Sequence, residues 1–205
     1  MADIEFNLED IVDEHEDLAH PIVYWKGRLS VFVRSEEGKN AHRFGGELPS
    51  GASVPENATL HALLDIDTAQ CAALEGLSQA RLPLIFPFRH DGGRLVYHVN
   101  DSSFAVDELS PEEPDEDWPY EEFPDTLPVS TMGSSPAFEV DREDIEELLW
   151  QGFYDVPDDK VVIVIPPRED YGVSLWGEMG DAEMVQCVFV FDPATGKVTA
   201  ENQCS

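Results

Sequence analysis

Residues 22–34 read IVYWKGRLSVFVR, with β-branched and aromatic residues on either side of Lys26-Gly27. That pattern predicts a two-residue hairpin. Upstream, Ile11, Val12, His15 and Leu18 recur at helical spacing behind Asn7, a capping residue with Asp10 three positions on, and Pro21 closes the segment. This predicts a short helix. Residues 35–58 carry glycine, proline and polar residues without period and read as loop.

A short strand follows at 60–67 (LHALLDID), then a helix at 68–77, in which Cys71, Leu74 and Leu77 share a face and Asp67 serves as N-cap. Two apolar runs, 82–88 and 94–99, flank His90-Asp91-Gly92-Gly93 and predict a second hairpin. Beyond residue 136, Asp141 and Asp144 mark a helix start, Ile145, Leu148 and Leu149 its apolar face, and Gly152 its end. A meander is expected from 161–166, 172–178 and 184–191, with a Pro193–Gly196 turn into a last strand. Together these predict an α+β, β-rich fold: an antiparallel or mixed sheet with a few short helices. They divide the chain into an N-terminal lobe (1–106), an acidic Pro-rich insert (107–136) and a C-terminal lobe (137–205), in one compact domain.

Charge changes the picture. The chain of 205 residues holds 43 acids against 12 bases, a net charge of −31. Residues 1–100 contribute 16 acids and 8 bases, residues 101–205 the remaining 27 and 4. Such a field repels phosphates and anionic membranes and attracts cationic surfaces, so direct nucleic-acid or membrane binding is not expected. A salt-adapted proteome is the competing source of acidity, but it calls for charge everywhere rather than concentrated in the second half. No apolar run reaches the roughly 20 residues that span a bilayer. The first twenty residues hold eight carboxylates and no Lys or Arg, unlike a leader. With three cysteines, none in C-x-x-C spacing, reduced thiols and a cytoplasmic location are expected.

Arg43-Phe44-Gly45-Gly46 followed by Leu48-Pro49, a Leu-rich strand ending Asp65-Ile66-Asp67, and Leu82-Pro83 before an aromatic strand resemble the YwqG-like family of uncharacterised bacterial proteins. The resemblance covers about residues 43–100; a Trp-Pro pair expected in the 49–58 loop is missing. It implies a β-rich cytoplasmic fold and a class that includes immunity proteins paired with bacterial toxins, and it carries over no catalytic residues.

Candidate chemistry is sparse. Asp65 and Asp67 face one side of a strand and have the donors for a divalent cation, though a helix cap and a solvent-facing carboxylate account for them. His90 and His98 have no partner at zinc-ligand spacing. Ser102 and Ser103 lie near His98 but in no G-x-S-x-G elbow. Gly45-Gly46 reads as a tight turn. No catalytic residue, metal ligand or cofactor is assigned.

The acidic insert offers more. It holds ten acids, no base and six prolines, and within it Glu112, Glu113, Asp115, Glu116, Asp117, Glu121 and Glu122 interleave with Trp118, Tyr120 and Phe123. Aromatic anchors with complementary charge are the makings of a protein interface. The competing reading is a solvated loop whose rings pin it to its own core. The expected function is a non-catalytic binder of a basic protein: an immunity protein that neutralises a cognate toxin such as a nuclease. The alternatives are a DNA-mimic inhibitor of a DNA-binding protein, and a small hydrolase or metal-dependent enzyme.

Overall fold

The computed structural model describes residues 11, 19–34, 42–100, 103–115, 117–144, 157–168, 171–177 and 185–204. The expected helices at 7–20 and 141–152 lie largely outside them. Among the described residues twelve strands form one sheet: β1 (Ile22–Trp25), β2 (Arg28–Arg34), β3 (His42–Phe44), β4 (His61–Asp67), β5 (Arg81–Phe86), β6 (Arg94–Asn100), β7 (Ser103–Ser110), β8 (Ser130–Ser134), β9 (Phe138–Glu139), β10 (Val161–Ile165), β11 (Val185–Asp192) and β12 (Lys197–Cys204). Their spatial order is β5-β4-β3-β8-β2-β1-β10-β11-β12-β6-β7, with β9 on β2. Every ladder is antiparallel, and the sheet curls into a nearly closed barrel. A single parallel bridge joins Ser53 to Ala105.

The β1–β2 hairpin forms as the pattern predicts. Lys26 and Gly27 take φ of 51° and 76°, the left-handed pair that matches the strand twist. Strand β2 then turns a corner: Arg28–Val31 pair with β1, and Phe32–Arg34 pair with β8. Strands β1 and β10 are continuous apolar runs because both faces are covered. Val23, Trp25, Val161, Ile163 and Ile165 point into the barrel. Ile22, Tyr24, Val162 and Val164 join Ile11, Leu29, Val31, Val140 and Val188 in a second cluster outside it.

Strand β5 is an end of the sheet, and Pro83 fits there because an edge tolerates a missing N–H. Two of its buried edge groups are satisfied across the seam by Tyr97 of β6. The fully buried Tyr97 hydroxyl donates to Pro83 O at 2.8 Å and accepts from Ile85 N–H at 3.1 Å. Burial pushes this phenol well above its ordinary pKa. Tyr97→Phe leaves a buried N–H and a buried carbonyl unpaired and is expected to cost about 1–3 kcal/mol. The check is a urea melt with unchanged slope and a lower midpoint.

The turn at 90–93 exists, but β5 and β6 do not form a hairpin: β5 pairs with β4, and β6 with β12 and β7. The helix expected at 68–77 is two 3₁₀ turns, Thr68–Gln70 and Ala72–Leu74, with Asp67 Oδ1 capping Ala69 N–H at 3.1 Å as expected. No strand forms at 171–177, where Val173, Leu175 and Trp176 pack on the core from a loop. The 107–136 segment is not loop throughout: β7 runs into it and β8 lies within it, between β3 and β2.

Candidate functional site

What remains of the acidic segment is a strap, residues 111–124, that leaves β7 at Ser110 and returns to the sheet through Leu127 and β8. Proline removes its ladder donors, so its backbone must find partners elsewhere. Barrel side chains supply them. The Arg89 guanidinium donates through Nη1 to Trp118 O and Tyr120 O, both at 3.3 Å, and through Nη2 to Phe123 O. The Arg89 carbonyl accepts from Asp115 N–H at 2.7 Å. His90 Nδ1 bonds Pro111 O at 2.9 Å, and His61 Nε2 bonds Pro124 O at 3.0 Å.

The return path crosses the Gly45–Gly46 turn. Gly46 N–H donates to Leu127 O at 2.9 Å, and a β-carbon on Gly45 would meet Pro128 O at 2.1 Å. The two glycines at φ 70° and 90° form a tight turn, as expected, and they let the strap's end lie directly on that backbone.

The rings do not present themselves as the sequence led us to expect. Phe123 is only 2% exposed and packs edge-on to His61 and against Phe88. Trp118 and Tyr120 are half-buried against the same core, and the Tyr120 hydroxyl donates to Ser174 O at 2.9 Å. Their alternation with acids puts rings inward and carboxylates outward. Phe123 is therefore corrected from partner anchor to core residue. Trp118 and Tyr120 are the rings that hold the strap.

The carboxylates go the other way. Glu112, Glu113, Asp115, Asp117, Glu121, Glu122 and Asp125 are all exposed; Glu116 lies outside the described residues. None of the seven forms an ion pair with another described residue. Asp115 Oδ1 accepts from Asp117 N–H at 2.9 Å, which stiffens the turn. Elsewhere the cations are spent on acids: Arg28 on Glu75 at 3.2 Å, Arg94 on Glu108 at 2.8 Å, and Lys160 on Asp159 and Asp192 at 3.0 Å. The strap thus concentrates uncompensated negative charge on a backbone held at several points.

The other candidate chemistry resolves into structural roles. Asp65 takes the Arg81 guanidinium through both its oxygens, with Nη2 at 2.7 Å, so it faces neither free solvent nor a cation site. No group of three or more His, Cys, Asp or Glu among the described residues is arranged to hold a metal. His98 pairs with Asp107 on the outer face of the sheet, while His90 is buried under the strap; they do not share a site. Ser102 lies outside the described residues.

His42 looks more suggestive. It bonds Ser134 Oγ at 3.3 Å, and Cys71 lies near the same hydroxyl. Yet His42 Nδ1 accepts from Asp67 N–H at 3.2 Å, which makes Nε2 the donor toward Ser134. Ser134 in turn donates to Gln70 O at 2.9 Å. The imidazole has no lone pair left for that hydroxyl. Burial lowers His42 to about 4 and raises the Cys71 thiol, so neither is primed as base or nucleophile.

The sequence reading missed Arg89, His61 and His90 as the strap's holders. One signal was available: Arg89 is the single Lys or Arg between Leu82 and Gly93, and it closes an apolar run. Among the described residues no helix is long and apolar enough to cross a membrane. The chain matches no family model, no curated protein and no solved structure. The resemblance to the YwqG-like family therefore rests on the motifs between Arg43 and Pro83 alone.

Proposed function

We propose that this chain is a non-catalytic binding protein whose acidic strap receives a basic protein partner, and that the partner is a toxin such as a nuclease, making the chain its cytoplasmic immunity protein. One observation carries the reading. The strap's carbonyls are taken by Arg89, His61 and His90, while its described carboxylates stand outward with no ion pair among the described residues. Fixing the backbone beforehand lowers the ordering cost of association, and a coherent negative face steers a cationic protein toward it. The Lys and Arg residues that a nuclease uses for phosphates are groups such a face would cover.

With Phe123 in the core, affinity has to come from carboxylate pairing more than from ring insertion. The test is a charge-neutral strap: Glu112→Gln, Glu113→Gln, Glu121→Gln and Glu122→Gln together. These side chains are exposed, so the melting temperature should hold or rise as self-repulsion falls. Association with a basic nuclease used as the probe should slow by about tenfold or more and lose most of its salt dependence. An unchanged association rate removes the strap from the interface. Binding to unrelated DNA-binding proteins separates the two readings, since a DNA mimic engages them generally and a dedicated immunity protein does not.

A further inference from the structure

Two of the strap's holders are histidines whose protonation state is dictated by their neighbours. His90 Nε2 accepts from Thr59 N–H at 3.3 Å, so that nitrogen carries no proton and the proton sits on Nδ1, facing Pro111 O. His61 donates from Nε2 to Pro124 O. Its Nδ1 is buried near the Phe86 backbone without a hydrogen-bond partner, and the ring sits between those of Phe88 and Phe123, with centroids 5.6 and 5.2 Å away. Both side chains are 1% exposed, and they hold opposite ends of one segment.

We infer that the strap is an acid-released cover: it stays on the barrel while both rings are neutral, and it lifts between Ser110 and the Leu127–Gly46 contact when they take up protons. A proton on His90 Nε2 would point a second N–H at the Thr59 N–H and break that bond. A proton on His61 would place a cation between two rings in a site that already holds the Arg89 guanidinium. Lifting the strap returns both imidazoles to water and bares the aromatic floor of His61, Phe88 and Trp176. The strap that meets a partner at neutral pH is then the strap that lets it go in acid.

The direction follows from proton counting. Burial holds His61 down to about 4 and His90 below its ordinary value. Around His61, Arg89 pushes further down, while Asp125 and the carbonyls of Pro124 and Phe86 pull back. At His90 the Pro111 carbonyl pulls back, and Arg89 and Asp91 are its chain neighbours. With the strap open both rings return toward about 6.5, so the open form binds more protons. The closed state is fully favoured above that value and loses ground as pH falls toward the closed-state values. The shift is at most about tenfold per pH unit per ring. Unperturbed carboxylates titrate near 4, so the interval from 6.5 to 5 isolates the histidines.

Amide exchange in the full chain reads this directly and needs no partner, so it can fail independently of the binding proposal. The Asp115 amide, held by the Arg89 carbonyl, reports the strap; the Thr59 amide reports His90; the β10–β11 ladder reports the barrel. After correction for intrinsic exchange, Asp115 and Thr59 protection should fall at least about tenfold between pH 6.5 and 5, with the ladder unchanged. His90→Gln and His61→Gln should each remove part of that slope. Ring-nitrogen titration of the unmodified protein checks the same point should a variant fail to fold. Protection at Asp115 that is flat over this interval, or that falls only in step with the ladder, overturns the inference.

Discussion

Arg89→Ala is expected to free the strap from the barrel and lower global stability by about 2–4 kcal/mol. The guanidinium donates to three carbonyls, those of Trp118, Tyr120 and Phe123, and its carbon lies 5.7 Å from the Phe123 ring centroid. Alanine removes all of these interactions at once and leaves the half-buried carbonyls without donors. Part of the loss is local, because Trp118 and Tyr120 can tilt toward water. Part is global, because Phe123 belongs to the core that Phe88 and Trp176 share. Arg89→Lys keeps the charge but presents one ammonium where a planar fork reached several acceptors, so it should fall between the two. Denaturant melts give the global value. Cleavage after Glu112, Glu121 and Glu122 by a glutamate-specific protease gives the local one, and it should rise steeply in Arg89→Ala. A strap equally resistant in both proteins would mean that the guanidinium is not what holds it.

The second large effect lies in the turn beneath the strap's return. Gly45→Ala places a methyl 2.1 Å from Pro128 O and 2.9 Å from Leu127 O, at a φ of 70°. Backbone atoms cannot swing aside as a side-chain tip can. The Gly46–Leu127 hydrogen bond must break or the strap's end must move. We expect a loss of about 3–5 kcal/mol, the range in which small domains cease to accumulate as folded protein. Gly76→Ala is the control. It also has a positive φ, 91°, but its added carbon meets nothing within 4 Å. It should cost only the left-handed strain, about 1–2 kcal/mol. Similar costs at the two positions, read from denaturant midpoints, would show that the Pro128 contact is not what constrains Gly45.

What the sequence made legible was local. Lys26-Gly27 between β-branched runs could only be a tight hairpin, because turn chemistry and strand pattern agree over a few residues. The runs at 161–166 and 184–191 became β10 and β11 for the same reason. The Gly92-Gly93 turn shows where this stops working. Its residues bend the chain as expected, but a turn does not choose the partner of the strand that leaves it. Residues 94–100 found a better ladder with residues 197–200, far away in sequence.

The candidate site divides along the same line. The six prolines announced that part of 107–136 would lack regular structure, and its acids announced a charged surface. Which way Trp118, Tyr120 and Phe123 would face depended on Arg89, His61 and Trp176. All three come from other parts of the chain and reach the strap only after folding. An acid-aromatic alternation is equally compatible with rings out and rings in.

The placement of β12 bears on how the molecule is made. Strands β6 and β7 are synthesised well before the segment they depend on: among the described residues their ladder to the rest of the sheet runs through Lys197–Ala200. Until that later segment leaves the ribosome, β6 has an open edge, and the pair is tied to the earlier chain through the Ser53–Ala105 bridge and the Tyr97 hydroxyl rather than through a ladder. Such late, long-range pairing is slow and leaves apolar strand surface accessible to other chains. The acids that crowd the same nascent chain have a use before any partner arrives, since like-charged chains repel one another while β6 waits for its ladder.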